Sequence, residues 1–332
     1  MKFIIQIVTL IILLQFNPIV KASESSDNHD NILSQESVRQ SILETLDVLD
    51  DVYVYPEKTA AIRHVIIDRM NQGKYDGIKT KKEFVSILTQ ELMDAGKDGH
   101  LGLMLVKDDG SEPTHILTET EDDKKNNHAF QKVEVLKNNI GYLKFNKFYA
   151  DEEAQTTVDH AFGFLSNTDA MIIDLRDCIG GSPELVQYML SHFFVEETLL
   201  WRFHNRGNEL VFDHVSLKDI GHKKFKSNYP LFILVGEDTA SAAELFAYTL
   251  KHHNKATIIG QTTMGIAHAV SAVKINQHFT GRFSMSRLSN PITQKDWERV
   301  GVIPDINTEL DKSLKVAQIE ATNHLKSQPN NK

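Results

Sequence analysis

A serine occupies the segment of this sequence that is best suited to covalent chemistry. Ser241 lies in the run Thr239-Ala240-Ser241-Ala242-Ala243-Glu244, which follows the apolar residues 231–235 and opens a segment with helical spacing. A serine at a strand-to-helix turn, between residues no larger than alanine, can present its hydroxyl beside free helix amides. The alternative is a helix N-cap, which is a common use of serine. These six residues alone allow both interpretations.

Paired glycines mark a second segment with catalytic potential. The apolar run 170–173 ends in a charged turn, followed by Gly180-Gly181 and by Pro183, which is placed to begin a helix that we expect to reach Phe194. Glycines after a strand let the backbone approach a ligand closely and leave N–H groups available, as an oxyanion hole requires. The alternative is an ordinary tight turn.

A histidine in the run Lys97-Asp98-Gly99-His100 supplies a candidate base. It follows Gly96, at which the preceding helical pattern ends. Imidazole has an ordinary pKa of about 6.5, so His100 could accept a serine proton near neutral pH. A single histidine is more often structural or merely exposed, and only its combination with other segments favours a catalytic role.

Five segments, in order, resemble one known family over nearly the whole chain. The resemblance is to the serine peptidases that include the C-terminal processing (tail-specific) proteases, the tricorn core protease and the interphotoreceptor retinoid-binding protein, and it is strongest to a bacterial branch akin to the retinoid-binding modules. The segments are DGHLGL at 98–103, IIDLRDCIGGSPELVQYMLSHFF at 172–194, TASAAELFAYTLKH at 239–252, ATIIGQTTMGIAHAV at 256–270 and NPITQKDWERVGVIPDI at 290–306.

The resemblance implies roles for individual residues. Ser241 matches the nucleophile, and the N–H groups of Ala242, Gly180 and Gly181 match the oxyanion hole. The processing proteases place an activating lysine in a T-x-G-K-G motif, but the corresponding position here holds Ile266. A Ser-Lys dyad is therefore not available at that position.

The tricorn-like arrangement uses a histidine and a glutamate instead, and both have counterparts in this sequence. His100 matches the histidine and would act as general base, and Glu298 in the run WERVGV matches the glutamate that orients it. His268, close to the expected lysine position, is the alternative base. The loop that matches the family's oxyanion loop departs from the family pattern at Cys178 and Ile179, a difference expected to affect substrate fit and catalytic rate rather than fold.

Hydrophobic periodicity predicts three N-terminal helices and then alternating strands and helices. Pro56 opens the second helix and the pair Thr80 and Glu83 forms a capping box for the third. From residue 133 onward, strands alternate with helical patterns, which indicates an α/β domain. The run Lys137-Asn138-Asn139 between the apolar segments 133–136 and 140–145 predicts a hairpin. The resemblance makes this fold a crotonase- or ClpP-like spiral of β-β-α units with a small N-terminal three-helix domain and no PDZ domain.

These patterns divide the chain into six predicted regions. They are a signal peptide at 1–22, a disordered linker at 23–33, an N-terminal helical domain at 34–105, a polar linker at 106–129, an α/β peptidase catalytic domain at 130–320 and a flexible tail at 321–332.

The N-terminus indicates export. Lys2 precedes an apolar run at 3–20, and Val20-Lys21-Ala22 suits a signal peptidase, so we expect cleavage after Ala22 and a periplasmic or extracellular mature protein. An uncleaved membrane anchor is the alternative. Cys178 is the only cysteine, so no internal disulfide is expected; it is either a small buried residue or a free thiol near the active site.

Composition excludes several classes of function. The 332 residues carry a formal net charge of −9 and no basic cluster, which argues against nucleic acid as a partner. No Walker loop, dinucleotide fingerprint or HExxH spacing occurs, so we expect no cofactor and no metal at the site. A peptide or protein substrate without PDZ-type tethering is predicted, and the sequence gives no oligomeric state.

The sequence therefore predicts an exported serine-type peptidase that hydrolyses peptide bonds through an acyl-enzyme on Ser241, with tricorn-like assistance from a histidine and a glutamate. The competing hypothesis is a non-catalytic binding protein for hydrophobic ligands, of the retinoid or fatty-acid type, on the same fold. Retention of a nucleophile, a base and an orienting acid favours the enzyme.

Overall fold

The computed structural model describes residues 32–106, 125–221 and 224–327, and these divide into two compact units. The helical unit comprises the described residues up to 106 together with 204–209 and 268–287. The sheet unit comprises 125–203, 210–267 and 288–327. The predicted signal peptide and most of the predicted linker at 106–129 lie outside the described residues.

Three helices build the helical unit, as the apolar periodicity predicts. They are α1 (Gln35–Val52), α2 (Pro56–Asn71) and α3 (Lys81–Gly96). Pro56 occupies the first turn of α2, and Thr80 forms the predicted capping box with Glu83 at the start of α3. Their apolar faces meet in one core that also contains Phe279 and Phe283.

Antiparallel strands complete the helical unit. Strand β1 (Gly102–Leu105) pairs with β10 (Phe279–Ser289), which also pairs with β9 (Ala269–Lys274). The sequence did not indicate that 204–209 and 268–287 would lie with the N-terminal helices rather than with the predicted peptidase domain.

A six-stranded sheet forms the centre of the sheet unit. Its order is β11-β8-β7-β4-β3-β2, and all neighbours are parallel except the edge pair β2 and β3. The strands are β2 (Phe130–Leu136), β3 (Ile140–Phe145), β4 (Ala170–Asp174), β7 (Leu231–Val235), β8 (Thr257–Gly260) and β11 (Ile306–Asn307). The predicted hairpin between β2 and β3 is confirmed, with Asn138 and Asn139 in left-handed conformations. A second pair, β5 (Leu199–His204) and β6 (Leu210–Val215), lies apart from this sheet.

Three helices lie between strands of the sheet unit, and a fourth follows the last strand. They are α4 (Glu152–Leu165), α5 (Pro183–Ser191), α6 (Ala242–His252) and α7 (Ser313–Ser327). Two predicted ends are wrong. Helix α5 ends at Ser191, three residues before Phe194. Residues 321–327 continue α7 instead of forming a flexible tail, because the buried Ala317 and Ala321 pack against the sheet.

This topology places two predicted site segments at one edge of the sheet. Strands β4 and β7 are parallel neighbours, so the turns after their carboxyl ends emerge side by side. The turn after β4 contains Gly180 and Gly181, and the turn after β7 contains Ser241. The predicted α/β fold class with N-terminal helices is confirmed. None of the helices in the described residues is long and apolar enough to cross a membrane.

Candidate active site

Ser241 has the backbone of a strained strand-to-helix turn. Its φ is 55° and its ψ is −119°, a left-handed conformation that is costly for a residue with a side chain. Ser241 is also the N-cap residue of helix α6, and its N–H donates to the Glu244 carboxylate at 2.8 Å, which is the backbone half of a capping box. The residue is 8 % exposed, so the hydroxyl is less open than the sequence predicts.

The turn that contains Gly180 and Gly181 packs directly against Ser241. A Cβ atom built on Gly180 would lie 2.8 Å from the Ser241 Cβ and 2.9 Å from the Ala242 nitrogen, and the φ of Gly180 is 97°. On the other side of the turn, the Gly180 carbonyl accepts the Phe148 N–H at 2.8 Å and the Phe148 carbonyl accepts the Ser182 N–H at 2.8 Å. Only glycine permits this close approach.

Two N–H groups of these turns remain for an oxyanion. The Ala242 amide is in the first turn of α6, where amides have no acceptor within the helix. Among the residues that the structure describes, the Gly181 N–H has no acceptor either. The Gly180 amide, which the sequence also includes in the oxyanion hole, lies close enough to the Cys178 sulfur to act against burial on the pKa of that thiol. Burial raises the pKa of that thiol to about 12, so Cys178 is a neutral buried residue.

Glu244 is a site residue that the sequence analysis missed. It is fully buried, and its carboxylate accepts the Ser241 and Ile266 N–H groups at 2.8 and 2.9 Å. The same carboxylate accepts the Gly265 N–H at 2.7 Å and the Thr263 hydroxyl at 2.5 Å. Burial raises the Glu244 pKa to about 7, while these hydrogen bonds act in the opposite direction. A glutamate on the otherwise apolar start of α6 was the available signal.

Glu298, the predicted orienting acid, supports the chain at 267. Its carboxylate accepts the Ala267 N–H at 2.7 Å, and Ala267 directly precedes His268. Trp297 donates its indole N–H to the Ile266 carbonyl at 3.2 Å. The segment that replaces the lysine motif is thus fixed from two neighbouring residues.

The helical unit brings Asp98, His100 and His268 together. All three are at most 3 % exposed. His268 Nδ1 lies 3.1 Å from Asp98 Oδ2, and His268 Nε2 lies 2.9 Å from the Tyr55 hydroxyl. His100 Nδ1 lies 3.7 Å from Asp98 Oδ1, and no hydrogen bond joins this nitrogen to another described residue.

The pKa values of Asp98 and His100 are both lowered, but for different reasons. Burial acts to raise the Asp98 pKa, but its interactions with His268 and His100 outweigh burial and hold the pKa well below its usual range. Burial lowers the pKa of His100 to about 3, despite the nearby Asp98 charge. The cluster therefore contains an ionised carboxylate and a neutral His100 imidazole that is available as an acceptor.

Asp98 and Tyr55 are the partners that sequence reasoning did not assign. Asp98 also accepts the His100 N–H at 2.9 Å and the Tyr53 hydroxyl at 3.1 Å. It is 170 residues from His268 in the chain, so their contact has no local sequence pattern. The adjacent run Asp98-Gly99-His100 was the only signal available.

Family comparisons match both parts of the chain. A family model described as "Peptidase family S41" matches residues 139–308, and one described as the "N-terminal domain of Peptidase_S41 in eukaryotic IRBP" matches residues 26–138. The chloroplastic carboxyl-terminal-processing peptidase 2 of Arabidopsis thaliana is 29 % identical over 170 residues, which cover 50 % of this chain and 31 % of that protein. The carboxyl-terminal-processing protease of Picosynechococcus is 23 % identical over 233 residues, which cover 69 % and 53 %. The chain thus spans about a third to a half of the length of these curated relatives.

Solved structures share the fold. A lipoprotein from Streptococcus agalactiae superimposes with a TM-score of 0.60 at 16 % identity, covering 88 % of this chain and 98 % of that one. The photosystem II D1 C-terminal processing protease superimposes with a TM-score of 0.53 at 14 % identity, covering 85 % and 97 %. At these identities the similarity concerns architecture alone.

Proposed function

Because this chain belongs to peptidase family S41, we propose that it is a serine-type peptidase that cleaves peptide bonds through an acyl-enzyme on Ser241. The observation that supports this most directly is the strained Ser241 turn, held against Gly180 with two amides available beside it. Strain of this kind costs about 1–3 kcal/mol and is kept where a side chain must be held in a fixed direction. A structural serine would not need it.

The proposed chemistry follows from these groups. The Ser241 hydroxyl attacks the substrate carbonyl and loses its proton to a base, while the Ala242 and Gly181 N–H groups stabilise the oxyanion. Collapse of the tetrahedral intermediate releases the amine, which takes the proton from the base. Water then takes the place of the amine: it loses a proton to the base and attacks the acyl carbonyl. Collapse of the second tetrahedral intermediate releases the acid, and the Ser241 oxygen takes the proton back from the base.

We propose His100 as the base, with Asp98 as the carboxylate that faces it. His268 has both ring nitrogens in hydrogen bonds, to Asp98 and Tyr55, whereas the described residues give His100 Nδ1 no hydrogen bond, so Asp98 can orient this nitrogen and leave Nε2 as the base. The separation of 3.7 Å between His100 and Asp98 suits a catalytic pair at rest, because such hydrogen bonds often tighten only with substrate bound. Glu298, the orienting acid of the tricorn-like pattern, is proposed to act by positioning the chain next to His268.

The test is peptide hydrolysis by single-residue variants. His100→Ala should lower kcat/KM by orders of magnitude, comparable with Ser241→Ala, because the groups act as a unit. His268→Ala should cost less. Partial recovery of the His100→Ala enzyme by added imidazole, but not of Ser241→Ala, would support a base at this position. Equal activities of wild type and Ser241→Ala would refute the proposed function.

We also propose that the mature chain is exported after cleavage following Ala22. The pattern of Lys2, an apolar run and Val20-Lys21-Ala22 supports this. Mass measurement of the mature N-terminus tests it: a chain that begins at Ser23 is expected, and a protein retaining Met1 would contradict cleavage.

A further inference from the structure

We infer that Asp98, His100 and His268 form a binding site for a divalent transition metal, with Zn²⁺ as the ion that suits their donor atoms. Each residue offers one ligand atom, and these atoms lie within 4.8 Å of one another inside the helical unit. Two imidazoles and a carboxylate form a donor set that Zn²⁺ commonly takes in proteins. Mg²⁺ and Ca²⁺ prefer oxygen donors alone.

The separations are close to those of a tetrahedral site. With bonds of about 2.0–2.2 Å, ligand atoms around zinc lie roughly 3.4 Å apart. Asp98 Oδ2 lies 3.1 Å from His268 Nδ1, Asp98 Oδ1 lies 3.7 Å from His100 Nδ1, and one ligand atom from each residue lies within 4.8 Å of the others. Small side-chain rotations would bring all three donors to bonding distance, and the fourth position would take water.

An unsatisfied atom points independently to a ligand. His100 Nδ1 is buried and has no hydrogen-bond partner among the described residues, in a side chain that is 4 % exposed. Leaving a buried polar atom unpaired costs about 1–3 kcal/mol, so such atoms call for an explanation. A metal that accepts the lone pair of this nitrogen would satisfy it.

Hydrogen bonds from neighbouring side chains bear on the tautomer of His268 and on the orientation of the Asp98 carboxylate. If the Tyr55 hydroxyl accepts from His268 Nε2, the proton is held there and the Nδ1 lone pair faces Asp98, as metal binding requires. The Tyr53 hydroxyl and the His100 N–H donate to the Asp98 oxygens and fix that carboxylate. The guanidinium of Arg282, which lies close to His100, is directed to the His100 main-chain carbonyl, to which its Nε donates at 2.7 Å.

Metal binding would regulate the enzyme, a consequence that rests on the proposed function. Zinc bound to His100 and Asp98 would occupy the proposed base and its carboxylate together, so the zinc-loaded enzyme would be inactive. Removal of zinc would restore the base without any change in Ser241.

The experiment is calorimetric titration of the metal-stripped full chain with ZnCl₂. We expect one saturable site in the wild type, and a loss of affinity in His100→Ala and His268→Ala that exceeds the ~10–100-fold typical of outer-shell changes. The matched control is His64→Ala, since His64 lies in the same unit with its side chain 76 % exposed; it should bind zinc like the wild type.

A second measurement needs no variant and so does not depend on their folding. Co²⁺ bound to the wild type should show the intense visible absorption of a tetrahedral site and paramagnetically shifted signals from two imidazoles. No saturable Zn²⁺ binding, unchanged affinity in both histidine variants, or shifted signals from fewer than two imidazoles would overturn the inference.

The two proposals can fail separately. If Ser241 is not a nucleophile, the metal-free chain will not hydrolyse peptides, yet zinc will still bind with one-to-one stoichiometry. If the metal site is wrong, a chain that hydrolyses peptides will bind no zinc at this cluster and will lose no activity on its addition.

Discussion

Substitution of Gly180 by alanine should disable catalysis while leaving a folded protein. The new Cβ would lie 2.7 Å from the Ala240 carbonyl oxygen and 2.8 Å from the Ser241 Cβ, so one turn must move by roughly 0.7 Å to restore ordinary contact. The φ of 97° adds strain of about 1–3 kcal/mol. Loss of one oxyanion donor costs about 10²–10³ in kcat, and a shift of this size should cost a similar amount.

Alanine variants of two other glycines distinguish steric overlap from backbone strain as the cause of the effect. At Gly77 an added Cβ meets nothing within 4 Å and no left-handed φ is involved, whereas at Gly207 the space is equally open but φ is 85°. Gly77→Ala should change neither activity nor stability, and Gly207→Ala should lower stability alone. Steady-state kinetics and thermal unfolding of the three variants form the assay. A folded Gly180→Ala enzyme with more than about a third of wild-type kcat would refute the role of this contact.

Four further outcomes are expected. Ser241→Ala should change the free energy of unfolding by less than about 1 kcal/mol in urea titration, because alanine keeps the backbone N–H that donates to Glu244; a larger loss would favour the N-cap interpretation. Glu244→Ala should cost at least about 3 kcal/mol, because four donors lose their acceptor; a neutral result in the same assay would contradict this. Asp98→Asn should lower kcat/KM more than Glu298→Gln, and the reverse ranking would return the orienting role to Glu298. Tyr142→Phe removes a hydrogen bond to Asp174, whose pKa is held low by Arg176 and Tyr142 against burial; its cost of about 1.5–3 kcal/mol should be present above about pH 4 and shrink in acid as the carboxylate protonates.

Local patterns predicted the elements of this fold well where the chemistry was local. The capping box at Thr80 and Glu83, the proline at the start of α2 and the Asn138-Asn139 hairpin each depend on residues within a few positions of one another. The end of α5 and the length of α7 were predicted less well. They depend on packing against the sheet, which the sequence of a single segment does not contain.

Most of the site contacts that could not be predicted from the sequence join residues that are far apart in the chain. The approach of Gly180 to Ser241 follows from the parallel pairing of β4 and β7, which the alternation of strands and helices suggested. The cluster of Asp98 with His268 joins segments 170 residues apart, so motif spacing predicted no metal donors there. Glu244 could have been noticed from its charge alone, but three of its four partners come from a separate loop at 263–266.

Covalent labelling is the most direct measurement of the proposed nucleophile. A fluorophosphonate reacts with an activated serine hydroxyl and leaves a stable adduct that mass spectrometry of peptides can locate. The folded, metal-free wild type should carry one adduct, on Ser241, and Ser241→Ala should carry none under the same conditions. An adduct on a different residue, equal labelling of the two proteins, or no labelling of the wild type would contradict a catalytic Ser241.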